Sequence, residues 1–241
     1  MNGADLWQSM RVAVEKILPA HCLACKQRCY KPEWLCHTCE RAVEYNRCVC
    51  QQMRARGLFW GPCEVCGSNV VGETIQSLSV PLLNNGVGKA LIQQWKFQSQ
   101  PQLTSLLVGL AVREQHWYRP PAPMIVPMPM HWWKRYRRGY NQSELLAGAL
   151  ARHWQQRGYA VTTHPGVLKS RFRVRDQHTL GRKQRLIAPQ YQFRVAADVG
   201  GQHLLLIDDV VTTGATLEAA AAALLAAGAA TVSVWCLAKT P

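Results

Sequence analysis

Two kinds of apolar pattern alternate along the chain. Near its start Leu6, Met10, Val14 and Ile17 recur at helical spacing with Trp7 and Leu18 alongside, and Pro19 ends the run, which predicts an amphipathic docking helix over residues 4–18. Helices are predicted again over 88–97, over 102–117 and over 143–158, where Leu145, Leu146, Ala149, Leu150 and Trp154 face inward and Gly158 is the stop. Short continuous apolar runs mark buried strands at Ile125 and Val126, at 203–207 and at "TVSVWCLA" near the carboxyl end. Between the last two, residues 217–227 read as an Ala-rich helix with Gly228 just past it. Strand followed by helix, more than once, predicts an α/β fold: a parallel sheet flanked by helices, with ligand sites at the strand carboxyl ends.

Residues 22–66 break this pattern. Aliphatic residues become scarce there, so the segment cannot build an ordinary core and needs a staple. Nine of the ten cysteines lie in it, mostly as close pairs, which in an intracellular chain reads as metal binding and not as disulfides. Cys22-x2-Cys25 and Cys36-x2-Cys39, ten residues apart, form two knuckles suited to hold Zn2+ tetrahedrally in four thiolates. Cys29 and His37 are bystanders or alternative ligands. Cys48-x-Cys50 followed by Cys63-x2-Cys66 offers a second zinc site or a set of free thiols, since C-x-C is tighter than the usual knuckle. A closed four-cysteine site has no open coordination position, so its metal is structural. The organisation expected is a helix over 1–19, a small zinc-ribbon domain over 20–70 and a larger α/β domain over 71–241.

Charge changes the picture of partners. The chain of 241 residues is 48% hydrophobic and carries 28 Lys+Arg against 14 Asp+Glu, a formal net charge of +14. Such a field attracts polyanions, nucleic acid or phosphorylated metabolites. Much of it is local: "HWWKRYRRGYNQ" (131–142) sets Lys134, Arg135, Arg137 and Arg138 among Trp132, Trp133, Tyr136 and Tyr140, and "LKSRFRVRDQHTLGRKQR" (168–185) adds Arg171, Arg173 and Arg175 among others. Basic residues interleaved with aromatics suit stacking on bases while tracking phosphates, or form a solvated charged face with the Trp pair in the core. No basic, apolar leader opens the sequence, and the run 219–230 is shorter than the ~20 residues of a bilayer span, so a cytoplasmic protein without membrane insertion is expected.

The densest chemistry is "LLLIDDVVTTGAT" (204–216). A buried strand delivers Asp208 and Asp209, then Val210, Val211, Thr212, Thr213, Gly214, Ala215 and Thr216 lead into the next helix, so that backbone N–H groups and hydroxyls can converge on an anion at a positive helix end. Two carboxylates beside a phosphate repel it unless donors or positive charge stand between them. A sugar phosphate meets that condition, its vicinal hydroxyls donating to the acids, directly or beside Mg2+, while the loop holds the 5′-phosphate. A P-loop would need GxxxxGK and a dinucleotide site GxGxxG here. The segment resembles the phosphoribosyl pyrophosphate (PRPP) motif of type I phosphoribosyltransferases.

The order of parts, with paired cysteine knuckles, "WKF", "VPMP", "RRGYNQSELL", "Q-x2-L-x4-R" and the motif above, resembles the ComF family of competence and DNA-utilisation proteins over about residues 20–240. That resemblance implies a phosphoribosyltransferase-like fold joined to an amino-terminal zinc domain, and a role with imported single-stranded DNA. It assigns Asp208 and Asp209 to the ribose hydroxyls and as the catalytic pair, residues 210–216 to the 5′-phosphate, and the turn at Pro127 and Met128 to the pyrophosphate side, with Arg137, Arg138, Gly139, Asn141 and Gln142 as its basic companion. Gln177 and Arg185 fall in the segment resembling the mobile loop. Two departures are Cys48-x-Cys50 and Ala188, where the family usually has Asn. The implied ligands are structural Zn2+ and PRPP or a related sugar phosphate with Mg2+, and the implied partners single-stranded DNA and DNA-import machinery. Alternatives are an active Mg-dependent transferase acting on a base or amine, and a zinc-stabilised docking module.

Overall fold

The computed structural model describes residues 20–29, 34–46, 74–113, 120–170 and 192–240. The expected helix over 4–18 lies outside them. In chain order, β1 (Ala20–His21) pairs antiparallel with β2 (Arg28–Cys29), and α1 (His37–Arg41) closes the cysteine-rich module. β3 (Ser77–Ser79), β4 (Leu82–Leu83), α2 (Gly86–Phe97), α3 (Leu103–Arg113), β5 (Met124–Pro127), α4 (Trp132–Arg138), α5 (Gln142–Gln155) and β6 (Thr162–Thr163) follow. An antiparallel ribbon of β7 (Leu168–Ser170) and β8 (Phe193–Val195) precedes β9 (His203–Val211), α6 (Ala215–Ala226) and β10 (Thr231–Lys239).

The main sheet runs β3-β10-β9-β5-β6, with β4 also on β10, and every pairing in it is parallel. β9 and β10 sit centrally, which is why their sequences are continuous apolar runs: both faces are covered. On one face Ile125, Leu205, Ile207, Trp235 and Leu237 pack with Leu91 and Trp95 of α2, Leu107 of α3 and Leu146, Leu150 and Trp154 of α5. On the other, Val126, Leu204, Leu206, Val232 and Val234 meet Leu217, Ala220 and Leu224 of α6. Small alanines let α6 lie close to the sheet.

Neighbouring strands β5 and β9 therefore send their following helices to opposite faces. A crevice opens where that happens, beyond the strand carboxyl ends, and ligands bind in such crevices in doubly wound sheets. The cysteine module is not set apart from this core. Cys22, Leu35, Cys39 and Val43 belong to the same buried cluster as α2 and α3, and Gln94 Nε2 of α2 donates to the Leu23 carbonyl at 2.9 Å. Gly88 makes the close approach of α2 to β4 possible, since a Cβ there would stand 2.8 Å from the Leu83 carbonyl oxygen.

Candidate functional site

The acids of 204–216 are fixed on the strand itself. The apolar run predicts a strand over 203–207, but the ladder continues to Val211 because β10 pairs alongside at Cys236↔Asp208, Ala238↔Val210 and Lys239↔Val211. Asp208 Oδ1 accepts from Ser143 Oγ of α5 at 3.1 Å and from the Asp209 amide at 2.9 Å. Burial, and then the neighbouring Asp209 charge, push the Asp208 carboxyl up to about 7, against the lowering influence of those two hydrogen bonds and of Lys96. Asp209 Oδ1 accepts from the Val210 amide, and its Oδ2 lies 2.8 Å from Lys96 Nζ. Both members of that ion pair are 16% exposed.

Past Val211 the chain turns through Gly214 at φ +80, the left-handed region that glycine enters without a Cβ clash. α6 starts at Ala215, two residues before the start expected from the sequence. The opening amides of a helix have no acceptor inside it, and Gly214 at the cap supplies no side chain. Glu218 makes the first backbone bond, to the Gly214 carbonyl, and the Ala215 amide reaches Thr213 Oγ1 only at 3.5 Å. Among the described residues, no acceptor takes the amides of Gly214, Thr216 or Leu217. With Thr212, Thr213 and Thr216 exposed around them, these groups form an open cradle at the positive end of a 12-residue helix.

The β5 side is braced by Asn141, 3% exposed. Its Nδ2 donates to the Met128 carbonyl at 3.0 Å and its Oδ1 accepts from the Ser143 amide at 3.0 Å, so it caps α5 and ties to that helix the carboxyl end of β5, which continues through Pro127 and bonds from the Met128 amide to Ile207 instead of turning as the sequence suggests. Gln142 is fully buried, and its Oε1 accepts from Arg138 at 3.2 Å. The basic segment between these anchors is helical: α4 ends in Gly139 at φ +81, the left-handed cap that redirects the chain into α5. Lys134, Arg135 and Arg137 are exposed, and Arg135 is ion-paired with Glu144 at 2.9 Å. The Arg138 guanidinium lies 5.1 Å from the Phe97 ring centroid.

α4 has no buried residue. Trp132, Trp133 and Tyr136 are 62%, 50% and 78% exposed, and Trp133 stacks on Tyr136 at 5.9 Å with 21° between planes. A cavity of about 310 Å3 opens beneath this helix, with Pro127, Met130, Trp132, Arg135, Lys169 and Ser170 in its wall. Arg171, Arg173, Arg175, Gln177 and Arg185 lie outside the described residues.

The four cysteines of the first knuckle pair come together. One sulfur from each of Cys22, Cys25, Cys36 and Cys39 lies within 4.8 Å of the others, a set that can hold a metal ion. Cys25 Sγ and Cys36 Sγ are 3.8 Å apart, and the Cys39 amide donates to Cys36 Sγ at 3.5 Å. Burial opposes ionisation of Cys22, but backbone hydrogen bonds from Cys25, Cys36 and Ala24 outweigh it and bring the thiol down to about 6. Burial and the hydrogen bonds shared with Cys36, Cys25 and Cys22 push Cys39 up to about 12. The cluster thus favours thiolate at one corner and retains a proton at another, which a bound cation would displace. Cys29 is not part of this set, and Cys48, Cys50, Cys63 and Cys66 lie outside the described residues.

A family model for the phosphoribosyl transferase domain matches residues 141–241, which span α5 to β10 and contain the cradle and both acids. The DNA utilization protein YhgH of Salmonella typhi is 32% identical over 237 residues, 92% of this chain and 98% of that protein. YhgH of Escherichia coli strain K12 is also 32% identical, over 236 residues and the same shares. Competence protein F of Haemophilus influenzae is 35% identical over 89 residues, 34% of each chain. The chain belongs to the ComF family. Among solved structures it is similar to a hypoxanthine-guanine phosphoribosyl transferase of L. donovani, at 15% identity and a TM-score of 0.34, over 61% of this chain and 67% of that one.

Two residues beside the acids have no role assigned from the sequence. Lys96 is the lysine of "WKF" and Ser143 follows "YNQ"; both lie in motifs that carry the family resemblance, but neither type nor spacing ties them to the acids. Only the meeting of α2, α5 and β9 brings them to the acids. Among the described residues, no helix is long and apolar enough to cross a membrane.

Proposed function

We propose that this chain binds PRPP or a related ribose 5-phosphate, binds single-stranded DNA along α4, and serves in the handling of that DNA. One observation carries the sugar-phosphate reading: an uncapped amide cradle at the start of α6 directly follows two half-buried carboxylates, at the crevice where the helices after β5 and β9 part to opposite faces of the sheet. A terminal phosphoryl group is matched by the cradle, and a diol by the acids. Asp208 and Asp209 are also the residues that would stand nearest a Mg2+ carried in with PRPP. That ion would screen the ligand's phosphate charge.

The DNA reading rests on α4. An exposed stack of Trp133 on Tyr136, flanked by Trp132 and rimmed by Lys134, Arg135 and Arg137, offers π-faces and phosphate contacts together. The adjoining cavity has room for one base, with Arg135 and Lys169 at its edge. The names of the YhgH relatives, DNA utilization proteins, agree with this. Zinc is the ion we assign to the four cysteines, because zinc–thiolate legs of about 2.3 Å give a tetrahedral edge of about 3.8 Å, the Cys25–Cys36 sulfur separation.

Calorimetry with PRPP and Mg2+, repeated in the presence of a single-stranded oligonucleotide, tests both readings. Saturable binding of each ligand is expected, with oligonucleotide affinity falling steeply as salt rises. PRPP binding indifferent to Asp209→Asn would refute the first reading. DNA binding that survives charge reversal at Arg137 and Arg138 would refute the second.

A further inference from the structure

Side-by-side carboxylates next to a phosphate cradle raise a charge problem, and α2 brings a cation to it. Lys96 Nζ sits 2.8 Å from Asp209 Oδ2, with both side chains 16% exposed, so the pair is largely withdrawn from water. The lysine is delivered by an anchored stretch of helix. Trp95, fully buried, donates from Nε1 to Thr104 Oγ1 at 3.0 Å, and its carbonyl accepts from the Tyr140 hydroxyl. Gln94, one residue earlier, is bonded to the cysteine module through the Leu23 carbonyl and through Lys26 Nζ.

We propose that Lys96 is a ligand-contacting, specificity-determining residue of the sugar-phosphate site, supplying charge that a divalent cation would otherwise supply, so that a ribose 5-phosphate enters without metal. The inference rests on the sugar-phosphate reading above. Hydrogen-bond capacity allows it. A carboxylate offers about four acceptor positions; Asp209 uses one on the Val210 amide and one on Lys96, and the remainder are open to a diol. An ammonium has three donors, so Lys96 can keep Asp209 and still reach a ligand oxygen. The same ammonium disfavours a second cation at Asp209 Oδ2, because a divalent ion placed there would have to bear its repulsion or expel it. With Asp209 already balanced by Lys96, a ligand carrying one phosphate meets the positive helix end without the repulsion of that carboxylate, whereas the extra charge of a pyrophosphate still calls for Mg2+.

The test titrates the full chain with ribose 5-phosphate, in Mg-free buffer and in millimolar Mg2+, by calorimetry, with melting temperatures recorded for every variant. The wild-type affinity is expected to differ by less than about threefold between the two buffers. Lys96→Met is expected to weaken binding about tenfold or more in Mg-free buffer, the usual loss for a charge-assisted hydrogen bond, with Mg2+ restoring most of it. Lys96→Arg should keep metal-free binding, and Lys89→Met, an exposed change on the same helix, should change nothing. Wild-type binding that requires Mg2+ overturns the proposal and leaves the sugar site standing. So does Lys96→Met binding as wild type, or losing affinity equally in both buffers with a matching fall in melting temperature, the pattern of a merely structural ion pair. If wild type binds ribose 5-phosphate in neither buffer, and PRPP binding is unmoved by Asp209→Asn, the sugar-phosphate reading fails together with the inference.

Discussion

Replacing Asp208 with Asn should stabilise the protein at alkaline pH, with the gain shrinking as the solution is acidified. Burial and the Asp209 charge raise the carboxyl from 3.8 to about 7. Between those values the folded chain holds a proton that the unfolded chain has released, so stability declines as pH rises from about 4 to about 7 and is flat beyond. At about 1.4 kcal/mol per unit, the ceiling is about 4 kcal/mol; residual exposure screens it, and about 2 kcal/mol is the working expectation. Asn keeps an oxygen for the Ser143 hydroxyl and the Asp209 amide, so neither hydrogen bond need be lost. At about 2–4 °C per kcal/mol for a chain of this size, the variant should melt about 4–8 °C above wild type at pH 8, and the difference should at least halve by pH 5. Paired calorimetric scans in Mg-free buffer across that range read the difference directly; groups that do not interact with Asp208 cancel from it, and its coupling to Asp209 and Cys236 stays inside the measured difference. A variant that melts lower than wild type at pH 8, or a difference that ignores pH, refutes the account of Asp208 as a carboxyl held partly protonated by its surroundings.

Other consequences follow from the remaining parts of the site. Cys39→Ser should cost one equivalent of bound metal, measured by plasma mass spectrometry, and lower the melting temperature by more than about 10 °C, since a structural metal contributes its binding energy to folding; unchanged metal content would count against the four-cysteine site. Gly214→Ala should destabilise by about 1–2 kcal/mol, because φ +80 crowds a Cβ, and should also weaken PRPP binding in calorimetry; retained affinity would mean the cradle is not the phosphate site. Trp133→Ala should reduce single-strand affinity about 5- to 150-fold, the range for loss of one stacked base, in fluorescence anisotropy, while leaving PRPP binding untouched; equal loss of both ligands would point to a folding defect.

Much of this protein is written locally. The apolar runs of β9, β10 and α5 declare buried strands and a one-sided helix, because periodicity is a property of neighbours in sequence. The Cys22, Cys25, Cys36 and Cys39 spacing likewise declares a cluster that can hold a metal ion, since two knuckles need only a short turn each. α4 leaves no such signature: none of its residues is buried, so it has no apolar face to betray its period, and Gly139 with Asn141 redirects the chain at its end. The carboxyl end of β9 was also understated, because Asp208 and Asp209 interrupt the apolar run that β10 nevertheless carries onward.

From the sequence by itself came the fold class, the four-cysteine set and the acid-plus-cradle motif, because each is carried by short local patterns: apolar periodicity, two C-x2-C knuckles and one strand–loop junction. Tertiary structure alone decided the state of those acids: Ser143, 65 residues from Asp208, bonds one, and Lys96 of α2 neutralises the other. It also decided that the cysteine module packs on α2 and thereby shares a helix with the site. Charge pairing acts between whatever elements the core brings together, and no local pattern of residues records which those will be.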